Sequence, residues 1–86
     1  MEAMIAAGRE LGLSEQMARQ LTLQTALGSA QMAITSSVEP AELRQQVTSP
    51  GGTTERAIGI LEEAGLREIF ARALRGARDR SQELSG

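Results

Sequence analysis

Apolar residues return along this chain at steps of three and four, and nowhere alternate in the two-residue rhythm of a half-buried strand. The pattern predicts helices throughout, joined by short connections and without an internal repeat. Met4, Ile5, Gly8 and Leu11 lie near one face of a first helix running from about Met1 to Leu11. No capping residue precedes it, which reads as a truncated helix. Gly12 ends it. Ser14 follows as an N-cap, with Glu15 placed to meet the positive end of the next helix.

The second helix is predicted to be long, from about Ser14 to Ser36, and to have two apolar faces. Met17, Leu21, Gly28 and Met32 trace one; Leu23, Leu27, Ala30 and Ile34 trace the other. Between them runs a ridge of small residues, Ala18, Thr22, Ala26, Ser29 and Ala33, along which another helix axis can come close. A helix that is apolar nearly all round needs burial on every side. A domain this small cannot bury it alone, so the pattern predicts a partner subunit.

Pro40 opens a short third helix at the position where its missing N–H costs nothing, with Leu43 and Val47 as its apolar contact. The loop Thr48-Ser49-Pro50-Gly51-Gly52 comes next. Thr53 or Thr54 is expected to cap a fourth helix with Glu55 in its first turn, an inner face of Ala57, Ile58, Leu61 and Ala64, and Gly65 just past its end. A fifth helix shows the clearest period, through Leu66, Ile69, Phe70, Ala73, Leu74, Ala77 and Leu84, and is expected to fray from Ser85.

Composition sharpens the need for a partner. Among 86 residues there are thirteen alanines and a single aromatic side chain, Phe70, so little volume is available for a core. The net charge of −2 argues against nucleic acid or an anionic membrane as the main partner. The chain has no histidine and no cysteine, which excludes metal sites built on imidazole or thiolate, Cys/His nucleophilic catalysis and disulfides. From Gln20 to Val38 no residue is charged, but its glutamines, serines and threonines fit a buried soluble helix better than a membrane span. No basic leader precedes the first amphipathic pattern, and the cytoplasm is the default expectation.

Candidate chemistry concentrates in Val47-Thr48-Ser49-Pro50-Gly51-Gly52-Thr53-Thr54. Paired glycines let backbone and ligand come close. The first turn of a helix offers unpaired N–H groups at the positive end of a dipole, which suits a carboxylate or a small phosphate. Ser49, Thr53 and Thr54 add hydroxyls. The same residue types also make any capped turn, so they leave both readings open. The spacing is not that of a P-loop, which needs a lysine.

The stretch from Pro40 to Glu62 resembles the signature of the pyrroline-5-carboxylate reductases. The matching positions are Pro40, Leu43, Val47, Thr48, Ser49, Gly51, Gly52, Thr54, Ala57, Ile58, Leu61 and Glu62. Glu2-Ala3-Met4, Gly12-Leu13, Gln24-Thr25, Gly28-Ser29-Ala30 and the Ser81-Gln82-Glu83-Leu84 ending resemble the family too. The resemblance implies an all-α domain of about five helices, of the 6-phosphogluconate dehydrogenase C-terminal-like kind, interlocked as a homodimer; higher assemblies of dimers stay open. Residues 1–86 would form the C-terminal dimerisation and substrate-binding domain of an enzyme reducing 1-pyrroline-5-carboxylate to L-proline with NADPH or NADH. The resemblance further implies that the N–H groups of Gly51, Gly52, Thr53 and Thr54, with the Ser49 hydroxyl, take the substrate carboxylate, and that Thr54 Oγ orients the ring nitrogen. The family's dinucleotide fingerprint is absent, so no NADP or NAD site is expected in this chain and no activity from it alone. Two other readings stay beside this one: a helical dimer serving only association, and the helical domain of a related dehydrogenase acting on another small imino or β-hydroxy acid.

Other conspicuous groups have plainer explanations. Arg67, Arg72, Arg75, Arg78 and Arg80 are interleaved with Glu68, Asp79 and Glu83 and read as a solvated face. Glu62 and Glu63 point about 100° apart on a helix and do not converge as an acid–base pair. Met1, Met4, Met17 and Met32 read as core filler. Gln24, on the helix expected to be buried, needs an amide partner across an interface.

Overall fold

Five helices and no strand make up the chain: α1 (Glu2–Glu10), α2 (Glu15–Thr35), α3 (Pro40–Gln46), α4 (Thr53–Glu63) and α5 (Leu66–Ser85). The computed structural model describes all 86 residues, which divide into two compact units, Met1–Arg44 and Gln45–Gly86. The all-α expectation holds, and helix limits agree to within a residue or two.

In the first unit α1 folds back on α2 through a Schellman turn. Gly12 adopts φ +102° and donates its N–H to the Arg9 carbonyl at 3.0 Å, while Leu13 N–H reaches the Gly8 carbonyl at 3.0 Å. These bonds satisfy carbonyls that the end of α1 would leave unpaired. Ser14 is the N-cap of α2, and its hydroxyl accepts from Met17 N–H at 3.1 Å. The small ridge of α2 lies where α1 approaches. Ala18 is 3% exposed and Thr22 5% exposed, and Ala26 is half-buried. At the crossing, a Cβ on Gly8 would stand 3.0 Å from the Ala18 Cβ. Gly8 is therefore the residue that lets α1 close on Ala18. Farther along the ridge Ser29 and Ala33 are exposed, so contact within the chain covers only its first half.

At the end of α2 the Thr35 hydroxyl donates to the Gln31 carbonyl at 2.8 Å, and the Ser36 hydroxyl accepts from Val38 N–H at 3.0 Å. Pro40 opens α3 as expected, with the Glu39 carbonyl accepting from Glu42 and Leu43 N–H.

In the second unit α4 and α5 meet at a glycine corner. Gly65, at φ +89°, donates its N–H to the Glu62 carbonyl at 3.1 Å and accepts from Ile69 N–H at 3.0 Å. One glycine thus ends α4 and starts α5. The Arg67 guanidinium spans this corner, with Nε 3.0 and 3.1 Å from the two Glu62 carboxylate oxygens. That hydrogen bond, and then the Glu62 charge, raise Arg67 above its ordinary value. A raised folded value means that the contribution is present below the ordinary arginine range and lost only above it. Arg67 therefore stays charged at any ordinary working pH. On α5 the arginines form the expected solvated face: Arg78 pairs with Asp79 and Arg80 with Glu83, all exposed.

Two expectations about this unit are corrected. Neither Thr53 nor Thr54 caps α4. The cap is Gly52, in extended geometry at φ −86° and ψ 177°, which makes Thr53 and Thr54 the first two helical residues. The reason is the turn before the helix, whose last residue already has the extended backbone a cap requires. At the other end, α5 stays helical through Ser85, and Gly86 N–H donates to the Gln82 carbonyl at 2.9 Å.

Both long helices leave their apolar faces open. On α2, Met17, Leu21, Leu23, Leu27 and Met32 are exposed and Ile34 is 81% exposed. On α5, Phe70 is 61% exposed, with Ile69 and Leu74 also uncovered. Of the inner face expected for α4, only Ile58 is half-buried. Gln24 is exposed, like the face around it. No helix is long and apolar enough to cross a membrane.

Candidate functional site

The segment singled out by its residue types lies within the second unit and forms a turn that delivers the chain into α4. Gly52 N–H donates to the Ser49 carbonyl at 3.0 Å, closing a four-residue turn with Pro50 and Gly51 at its centre. Proline at the second position and a glycine at φ +73° at the third are the pattern of a type II turn. The two glycines are needed for different reasons. Gly51 stands in open space but uses the left-handed region, which disfavours a side chain. Gly52 has an ordinary φ, but a Cβ there would stand 3.1 Å from the Ser49 carbonyl oxygen. Gly51 meets a conformational demand and Gly52 a steric one.

The donors expected to act as one set are not equivalent. Gly52 N–H is spent on Ser49 inside the turn. Gly51 N–H donates to the Glu55 carboxylate, 3.0 Å from Oε1. The first hydrogen bond of α4 runs from Arg56 N–H to the Gly52 carbonyl at 3.2 Å, so Thr53, Thr54 and Glu55 carry the N–H groups that have no acceptor within the helix. Ser49 and Thr53 are exposed and Thr54 is half-buried. The turn thus brings Ser49, Thr53 and Thr54 to one helix terminus, with two N–H groups of the predicted set and that of Glu55 facing outward at the positive end of the α4 dipole.

Glu55, Arg56 and Gly59 stand beside this terminus and lie outside the site residues expected from the sequence. A shallow hollow of about 290 Å³ is lined by Gly51, Gly52, Glu55, Arg56 and Gly59. Glu55 stands three residues after the cap, the spacing of a capping box, and that signal was present in the sequence. Its carboxylate reaches one residue farther back than in the usual box, to Gly51 instead of the cap itself. No cluster of three or more acidic, histidine or cysteine side chains forms a metal-binding group.

These features define a helical module with open apolar faces and a glycine turn that opens into α4. At the start of α4 the Thr53, Thr54 and Glu55 N–H groups have no acceptor within the helix. Comparison with known proteins makes the assignment specific. Residues 1–84 match the family described as pyrroline-5-carboxylate reductase dimerisation, and the chain belongs to that family. It is 56% identical over 85 residues to the pyrroline-5-carboxylate reductase of Pseudomonas aeruginosa, covering 99% of this chain and 31% of that protein. It is 43% identical to that of Pisum sativum over 84 residues, 98% of this chain and 31% of the relative. Among solved structures, a pyrroline-5-carboxylate reductase from Coxiella burnetii superposes with a TM-score of 0.93 at 51% identity, over 96% of this chain and 31% of that one. The Plasmodium falciparum pyrroline carboxylate reductase with NADP bound does so with a TM-score of 0.95 at 30% identity, over 99% and 34%. The chain therefore spans about a third of the length of the relatives it matches.

Proposed function

We propose that this chain is the dimerisation and substrate-carboxylate-binding domain of an NADP- or NAD-dependent pyrroline-5-carboxylate reductase, acting in cytoplasmic proline biosynthesis. The observation that carries this reading is the Ser49–Gly52 turn, which presents the Thr53 and Thr54 N–H groups at the start of α4. A helix N-terminus with unpaired donors suits the single negative charge of 1-pyrroline-5-carboxylate or L-proline. When bound in the full enzyme, a nicotinamide cofactor would supply a hydride for the ring carbon of the C=N bond, with the ring nitrogen taking a proton from solvent. This chain's part is positional. The α4 terminus and the Ser49 hydroxyl hold the carboxylate, and the Thr54 hydroxyl orients the ring nitrogen. Gly51 and Gly52 shape the turn and are not free donors. A cofactor that carries the chemistry needs its substrate held in one orientation, and a fixed carboxylate provides that. The remaining two-thirds of the enzyme would hold the nucleotide.

The dimerisation family and the open apolar faces of α2 and α5 support a homodimer.

The test is Gly52→Val in the full-length reductase. A branched side chain at a position whose Cβ already lies 3.1 Å from the Ser49 oxygen forces the turn open. The expected result is a higher KM for 1-pyrroline-5-carboxylate with the dimer intact. An unchanged KM refutes the carboxylate site.

A further inference from the structure

The contact between Glu55 and Gly51 places a negative charge inside the very turn that the proposed function assigns to a negative ligand. Glu55 Oε1 lies 3.0 Å from Gly51 N, and the same carboxylate lines the hollow beside the turn. Glu55 is also in the first turn of α4, where the helix dipole favours one anion. A ligand carboxylate arriving at Thr53 and Thr54 meets that anion already in place.

We infer that Glu55 is an internal competitor for the anion site, setting how tightly the turn takes a carboxylate ligand. In the ligand-free chain its carboxylate satisfies Gly51 N–H and offsets the terminal dipole. Binding a second carboxylate at the same terminus then requires either that Glu55 swings away or that two like charges share one helix end. Either route weakens ligand binding. Glu55 is exposed on the surface of α4, so its side chain can move without disturbing any buried contact.

This inference rests on the proposed carboxylate site, so the experiment separates the two. In the full-length reductase, inhibition constants are measured for cyclopentanecarboxylate, which has the carboxylate but no ring nitrogen, and for the uncharged cyclopentanecarboxamide. The proteins compared are the parent enzyme, Glu55→Gln, Glu55→Ala and Gly52→Val. Gln keeps an oxygen for Gly51 N–H and removes only the charge; Ala removes both. The expected result is that both Glu55 variants bind the carboxylate more tightly, by roughly three- to tenfold for a like charge within one helical turn, with the carboxamide little changed. Equal or weaker carboxylate binding in both variants overturns the inference, as does a gain that the carboxamide shares. If Gly52→Val weakens carboxylate binding while Glu55→Gln leaves it unchanged, only the role of Glu55 fails. If Gly52→Val and both Glu55 variants leave it unchanged, the site itself fails.

Discussion

Replacing Gly51 separates backbone geometry from packing, because the two do not overlap there. Its φ of +73° is the conformation in which an L side chain is strained, yet no atom lies within 4 Å of where a Cβ would stand. Gly51→Ala therefore carries a conformational cost and no steric one. That cost is about 1–2 kcal/mol for a residue held in the left-handed region. If the turn relaxes to avoid it, the competent conformation loses population by the same free energy, and KM for 1-pyrroline-5-carboxylate rises up to roughly 5–30-fold. Asparagine tolerates the left-handed region better than alanine, and valine tolerates it worse. The expected order of KM is therefore Gly, Asn, Ala, Val, from lowest to highest. The assay is steady-state kinetics of the full-length reductase, with sedimentation confirming that each variant stays assembled. Two results refute the reasoning: equal effects of Asn and Val, or an unchanged KM across the series.

Gly8→Ala distinguishes propensity from packing in α1. Alanine in an open helix interior gains about 1 kcal/mol over glycine, but here its Cβ would sit 3.0 Å from that of Ala18, so the substitution is expected to destabilise. Gly8→Val should cost about 1–3 kcal/mol by overpacking; urea unfolding at fixed protein concentration reads both, and stabilisation by alanine would show that the crossing is loose. Sedimentation of the 86-residue chain is expected to give a dimer or larger species, because α2 and α5 leave Ile34, Phe70 and their neighbours uncovered. A folded, monodisperse monomer would contradict the reading of those faces, and the same run with L-proline shows whether the ligand tightens assembly.

Local order along the chain follows from local rules. The number and type of helices, the Ser14 cap, Pro40 at a helix start and the Gly65 stop all depend on residues close in sequence, whose backbone preferences act without help from distant contacts. The loop with paired glycines was conspicuous for the same reason, and its resemblance to a known signature pointed to the family that the comparisons establish.

What required the folded chain was the assignment of individual donors and of individual burials. From sequence, Gly51, Gly52, Thr53 and Thr54 form one set of N–H groups. The structure divides them, because a turn closed onto Ser49 consumes one and the Glu55 side chain consumes another. No propensity specifies where a flexible carboxylate comes to rest. Likewise, the ridge from Ala18 to Ala33 reads as continuous, but only the approach of α1 at Gly8 decides that Ala18 and Thr22 are buried while Ser29 and Ala33 are left open. Periodicity tells which residues share a face. Which part of that face is covered depends on where a second helix crosses it, and that is set by the turn between them and by steric fit at one crossing.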